Sequence, residues 1–212
     1  MIAPHTLLAF AALAFVVIVI PGPSVLFIVG RALQHGRWPA LVSVVGNTGG
    51  VLVHAVLVAF GVGAVIAASE AAFVVLKIVG GLYLVWLGVQ AIRHRGDGLA
   101  VRQDDAVVPS TGRLLAESFT VGVTNPKTLV FVAAVLPQFV DTASGPAWAQ
   151  ILMLGLVFAA IALVSDGAYA LLASGARAWL ARSPRRVAGI RATGGALMTA
   201  LGVVLLLSRR AA

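Results

Sequence analysis

The stretch Val17-Ile18-Val19-Ile20-Pro21-Gly22-Pro23-Ser24-Val25-Leu26-Phe27-Ile28-Val29 decides how the chain reads. It is apolar on both sides of a Pro-Gly-Pro, and it continues an apolar run that starts at Leu7. From 7 to 30 the run has the ~20 residues an α-helix needs to cross a bilayer. No Lys or Arg precedes it and no small-residue cleavage site follows, so it reads as a first membrane helix and not as a secretory leader. Each proline lacks an N–H and clashes with the preceding turn, and glycine adds backbone freedom. A helix through residues 21–23 must kink or break, and it does so inside the span.

Five more stretches downstream are long and apolar enough to span: 39–68, 72–92, 114–138, 147–176 and 189–208. The composition agrees. Of 212 residues 60% are hydrophobic and 10% charged, against about 25% charged in a soluble domain. Too little polar surface remains to cover a globule in water. Trp38, Trp148 and Trp179 fall near predicted span ends, where indole rings favour the headgroup layer. There is no cysteine, which removes disulfides, thiolate metal sites and thiol redox chemistry. The net charge of +8 could indicate a nucleic-acid partner, but no basic run is interleaved with aromatics, and basic loops beside membrane helices explain the charge.

Those loops set the orientation. Arg31 and Arg37 lie in the first loop, Arg93, Arg95, Arg102 and Arg113 in the third, and Arg177, Arg182, Arg185, Arg186 and Arg191 in the fifth. The other side has Arg209 and Arg210 at the tail, with Lys77 just inside the third span. Odd-numbered loops are therefore expected in the cytoplasm and both termini outside.

The two halves of the chain repeat. Gly22-Pro23-Ser24 and the apolar residues after it match Asn125-Pro126-Lys127-Thr128 and its sequel. Gly80-Gly81 and Gly88 match Gly194-Gly195 and Gly202 with the same spacing, and His54 and Gly63 can be set more weakly against Asp166 and Gly175. Each repeat carries three spans, an odd number, so the second copy enters from the opposite face. The expected fold is all-α: one membrane domain over residues 1–212, with two inverted three-helix repeats at about 5–93 and 114–210. A polar cytoplasmic loop at about 94–113 joins them. Inverted repeats are a recurring transporter architecture, with the site at the repeat interface.

The second break, Asn125-Pro126, lies about 11 residues into the fourth span, or ~16 Å deep at ~1.5 Å per residue. That is close to mid-bilayer. A break frees N–H groups at the start of each second half-helix, and that end carries partial positive charge. The half-helices starting at Pro23 and Pro126 run to opposite faces, so their ends can converge on one substrate carboxylate. Gly22, Pro23, Ser24, Asn125, Pro126, Lys127 and Thr128 are the candidate substrate-binding residues. Asp166 lies inside the fifth span; an acid facing lipid costs at least ~2.5 kcal/mol, so it should face the interior. It is the candidate proton carrier or contact for a substrate ammonium, with Lys127 as its expected charged partner. His54, central in the second span, is a second candidate for proton relay. Asp166 could instead be half of a static buried ion pair that only fixes helix positions, His54 is as often a packing residue with one hydrogen bond, and the proline kinks could merely shape helix packing. The paired glycines read first as close helix-packing faces, which would also suit contact between copies of the chain. Glu70 and Glu117 receive no site role. Nothing resembles a nucleotide-binding loop, so no cofactor is implied and transport energy would come from an ion gradient.

Pro21-Gly22-Pro23, Gly30-x5-Gly36, Lys77-x2-Gly80-Gly81-x-Tyr83-Leu84-x2-Leu87-Gly88 and Gly122-x2-Thr124-Asn125-Pro126-Lys127, followed by Pro137-Gln138-Phe139, resemble the LysE/RhtB family of amino-acid exporters over nearly the whole chain. Asp166 also matches an acid typical of that family. The resemblance implies export of an amino acid or derivative across the bacterial inner membrane by exchange with protons. Some related proteins move metal cations, so a divalent-cation transporter is the alternative; one carboxylate and one imidazole make a thin metal site. A membrane-embedded enzyme would need a nucleophile, base or metal cluster that the sequence does not offer.

Overall fold

The computed structural model describes residues 2–62, 70–94, 96, 108–176 and 183–207, and every regular element among them is helical. Helix α1 (Pro4–Val19) is followed by α2 (Pro23–His35) and α3 (Arg37–Leu57). A π-helical turn, Val58–Val62, extends α3, and α4 (Glu70–Arg93) closes the first half. The second half has the same order. It comprises α5 (Thr111–Val123), α6 (Pro126–Val130) with its π and 3-10 continuation to Phe139, α7 (Ala147–Gly175) and α8 (Pro184–Leu207).

Both expected breaks are present. The chain bends by 53° between α1 and α2 and by 46° between α5 and the α6 segment. Among the described residues two unbroken helices, Arg37–Gly61 and Ala147–Gly175, are long and apolar enough to span, and each bent pair makes a further span if counted as one. The 24 residues of α4 and of α8 reach ~36 Å at ~1.5 Å per residue, enough for a ~30 Å core. Most of the 94–113 loop, Gly63, Trp179 and the Arg209-Arg210 tail lie outside the described residues, as does the Lys77 side chain.

Two apolar cores flank the breaks. One joins Phe10, Val17 and Ile18 of α1 to Val51 and Val58, to Phe131 and Leu136, and to Leu154, Phe158 and Ala162 of α7. The other joins Val25, Ile28 and Leu33 of α2 to Ala40 and Val44 of α3 and Ala170 and Ala173 of α7. Along each of these three paths the polar residues fall between the cores: Ser24 after the first break, Asn47 on α3, Asp166 on α7. The outer face of α7 is apolar, with Val164 73% exposed beside a buried Asp166, as lipid requires.

Small residues bring the helices close. At Gly50 an added Cβ would lie 2.5 Å from the Val123 nitrogen and 2.6 Å from the Phe119 oxygen, and at Gly122 it would strike the Asn47 carbonyl. Helix α3 is thereby held backbone to backbone against α5. The repeated glycines form a second seam. Gly81 and Gly202 face each other, and Gly88 lies against Gly195 and Thr199, so α4 packs along α8. This corrects the expectation that these faces are open to a second copy: Gly81, Gly88 and Gly202 are covered within the chain.

The two faces are distinguishable. Ile2 lies against Ser144, Gly145 and Gln150 at one. At the other, Arg31 near the end of α2 donates to Glu117 of α5 at 2.6 Å, and Arg113 donates to the same carboxylate at 2.7 Å. The second set of helices therefore begins at the face where the first bent pair ends.

Candidate functional site

The Pro-Gly-Pro sequence determines which backbone groups lack partners. In a continuous helix the carbonyl of Val17 would accept from residue 21 and that of Val19 from residue 23. Both are prolines, with no N–H to give. The last backbone bond of α1 is Ile20 N–H to Val16 O, so the carbonyls of residues 17–20 end at mid-membrane without helical partners. Buried backbone carbonyls of this kind need partners.

The second half of the chain satisfies them. Lys127 Nζ donates to Ile20 O at 2.7 Å, to Val17 O at 3.1 Å and, more weakly, to Ile18 O at 3.5 Å. The Tyr169 hydroxyl donates to Val19 O at 2.8 Å. A lysine has three donors, and the negative end of a helix dipole is where a cation is favoured. Lys127 is 4% exposed; these carbonyls compensate for the loss of its hydration shell. The other break is treated alike: His54 Nε2 bonds the Val123 carbonyl near the end of α5 at 2.7 Å. In each case a ring from the long helix of one half of the chain bonds the helix before the break in the other half. In contact terms the counterpart of His54 is thus Tyr169, not Asp166.

A chain of buried hydrogen bonds links the two breaks to Asp166. Asn125 caps α6, its Oδ1 accepting from Lys127 N–H at 3.1 Å. Its Nδ2 donates to Ser24 Oγ at 2.6 Å, Ser24 donates to Asn47 Oδ1 at 2.8 Å, and Asn47 Nδ2 donates to Asp166 Oδ2 at 3.2 Å. Every donor points the same way, and the chain ends on Asp166 Oδ2 as an acceptor. Bonds aligned in this way polarise one another.

These side chains surround a space of about 20 Å³, completed by Ile18, Val51, Thr128 and Phe158 among others. That is room for about one water molecule. The space at the polar centre is therefore narrow.

The structure thus brings together Ser24, Asn125, Lys127, Thr128 and Asp166. Gly22 supports the arrangement: a Cβ there would lie 3.2 Å from Lys127 Nζ and Cε. Pro23 and Pro126 open α2 and α6. One expectation needs correction. Lys127 does not pair directly with Asp166, because its ammonium is drawn to the carbonyls that the prolines left free. His54 does not line the space; it binds the end of α5, and its Nδ1 is buried with no partner among the described atoms. Sequence reasoning missed Asn47 and Tyr169. Tyr169 lies three residues after Asp166, on the same helical face, and that spacing was the available signal. Among the described residues no three of His, Asp and Glu stand together as a metal site would need.

A buried polar centre within apolar helices, linked to two helix breaks, fits a membrane transporter, and the family match below bears that class out. The chain belongs to the LysE type translocator family, whose model matches residues 15–209. It is 34% identical over 191 residues to the homoserine/homoserine lactone efflux protein of Salmonella typhimurium, covering 90% of this chain and 91% of that protein. It is 30% identical over 200 residues to the threonine efflux protein of Salmonella typhi, with 89% and 91% covered. Against the leucine efflux protein of Klebsiella pneumoniae it is 30% identical over 131 residues, 60% of each chain. These relatives support amino-acid export. No solved structure matches the chain.

Proposed function

We propose that this protein exports an amino acid or a close derivative from the cytoplasm across the inner membrane, in exchange for protons. One observation carries the placement of the site: the hydrogen-bonded path from Asn125 through Ser24 and Asn47 to Asp166, which ties both broken helices to the buried acid. The first helical bond of α2 is Leu26 N–H to Gly22 O, so the N–H groups of Ser24 and Val25 lie at the positive end of the helix and suit a carboxylate. Asp166 supplies the opposite charge for an amine. The two α-amino substrates in the name of the Salmonella typhimurium relative share a primary amine, whereas a lactone has no free carboxylate. The amine is therefore the anchor common to such substrates, and the α2 contact is secondary.

A space that holds one water does not hold an amino acid, so α1–α2 and α5–α6 must part during transport. Inversion of the second repeat supports alternating access, with one repeat rocking against the other. The face carrying Arg31 and Arg113 is cytoplasmic by the excess of basic residues, and the face with Ile2 and Ser144 external. Among the described residues no cluster of His, Asp and Glu favours the divalent-cation alternative.

The test is counterflow by the purified protein in liposomes, with homoserine, homoserine lactone, threonine and leucine as probes. Labelled substrate should accumulate against preloaded substrate for at least one of them. An acid external solution should then drive its export from inside. No counterflow with any amino compound sinks the export reading, and export indifferent to pH sinks the coupling to protons.

A further inference from the structure

The end of α1 is built as a cation site. The carbonyls of residues 17–20 lie at a break where Pro21 and Pro23 withhold the donors for Val17 and Val19, and three of the four lie within reach of one side-chain nitrogen. A cation already occupies three of them, and it belongs to the protein: the ammonium of Lys127. A substrate amine is the same chemical group. Ile18 and Lys127 both line the small central space, so a substrate entering between the breaks meets the lysine at this carbonyl ring.

We propose that the α1 carbonyls are the binding site for the substrate's primary ammonium, and that Lys127 is an internal stand-in that fills it in the empty transporter and gives up its proton when substrate takes its place. This rests on the reading of the protein as a proton-exchanging exporter and assigns the exchanging group. The step balances. The Lys127 ammonium leaves the carbonyls, releases one proton to the side from which substrate entered, and remains as a neutral amine. The substrate ammonium takes the carbonyls. The reverse step on the far side reprotonates Lys127 and ejects the substrate, so one proton crosses for each amino acid in the opposite direction. Asp166 serves as the counter-charge in this cycle, with Asn47 Nδ2 donating to it. The titratable groups that face Lys127 among the described residues are Asp166 and, on the neighbouring carbonyl, Tyr169; α2 and α3 present Ser24 and Asn47, which do not titrate. Sharing one ring makes the two ammonium groups mutually exclusive, and this exclusion is what couples the fluxes.

The chain has two lysines, Lys77 and Lys127, so the group can be observed directly in the unaltered protein. With lysine labelled at Cε and Nζ, NMR at fixed pH should show the Lys127 signal move from its charged to its neutral position on saturation with L-homoserine. N-acetyl-homoserine, which has no ammonium, should leave it in place. Lys127→Arg, which identifies the signal by removing it, keeps donors and charge but cannot release a proton. With voltage clamped at zero, a one-unit pH step should let the wild type concentrate homoserine roughly tenfold, and Lys127→Arg not at all. A Lys127 signal unmoved by homoserine, or an arginine variant that concentrates homoserine like wild type, overturns the assignment. A wild type that transports homoserine without concentrating it would instead overturn the proton-exchange reading.

Discussion

Tyr169→Phe removes one oxygen and tests whether the broken end of α1 depends on the second repeat. The hydroxyl donates to Val19 O at 2.8 Å. The usual helical donor for that carbonyl would be residue 23, a proline, so no backbone N–H can replace it. The ring itself is retained, so packing changes little and the lost hydrogen bond dominates. An orphaned polar group at this depth costs ~1–3 kcal/mol. At roughly 2–4 °C per kcal/mol for a chain of this size, the melting midpoint in detergent should fall by several degrees. The other tyrosine, Tyr83, is an internal control. It is exposed and stacked on Trp86, so Tyr83→Phe should stay within ~0.5 kcal/mol of wild type. Thermal unfolding of the three proteins by circular dichroism decides the matter. Equal midpoints for the two phenylalanine variants would refute the account of how the α1 carbonyls are satisfied.

Gly122→Ala places a methyl on the Asn47 carbonyl and must push α3 from α5, at ~1–3 kcal/mol, whereas Gly112→Ala, with nothing within 4 Å, should be neutral or slightly stabilising; folded yield of the two variants checks this. Pro126→Ala should leave membrane insertion intact but slow counterflow, because it restores a donor and straightens the bend; wild-type rates at equal expression would count against the break as part of the site. Glu117→Gln removes the charge partner of the buried Arg31 and should cost more stability than Arg113→Ala, whose exposed pair is worth ~0–1 kcal/mol; denaturation of both variants compares them. Asp166→Asn should reduce folded protein, by less than the ~3–5 kcal/mol of a broken direct ion pair because Lys127 keeps its carbonyls, with thermal melting as the measure. Reporter fusions at Arg102 and Arg186 should read cytoplasmic, and fusions at Ser144 and Arg210 external.

The breaks were legible because proline acts locally: Pro21, Pro23 and Pro126 remove donors whatever surrounds them. The paired glycines were legible for a similar reason, since a missing Cβ marks a close approach, although not which helix approaches. The satisfaction of the freed carbonyls was not legible. It depends on Lys127 reaching across 107 residues of sequence to Ile20 and Tyr169 across 150 to Val19, and no local pattern encodes such pairs. Expecting Lys127 to seek Asp166 weighed charge against charge and overlooked the backbone, which offers three acceptors at one point. The partner of His54 was hidden for the same reason: it is a carbonyl near the end of α5, invisible until α3 and α5 are seen to touch.

The capped end of α1 also has a meaning for biosynthesis. The ribosome makes the first half of the chain, with its stripped carbonyls, well before it makes the residues that cover them. At about 5–20 residues per second, the 107 residues from Ile20 to Lys127 represent roughly 5–20 s of elongation. During that interval the nascent α1 cannot rest in hydrocarbon in its final shape. It must stay hydrated, lie against the insertion machinery, or hold a different backbone path until the second half arrives. The two halves are therefore not a finished module followed by its copy. The earlier half is completed only by the later one, and the transporter becomes a stable membrane object in a single late event.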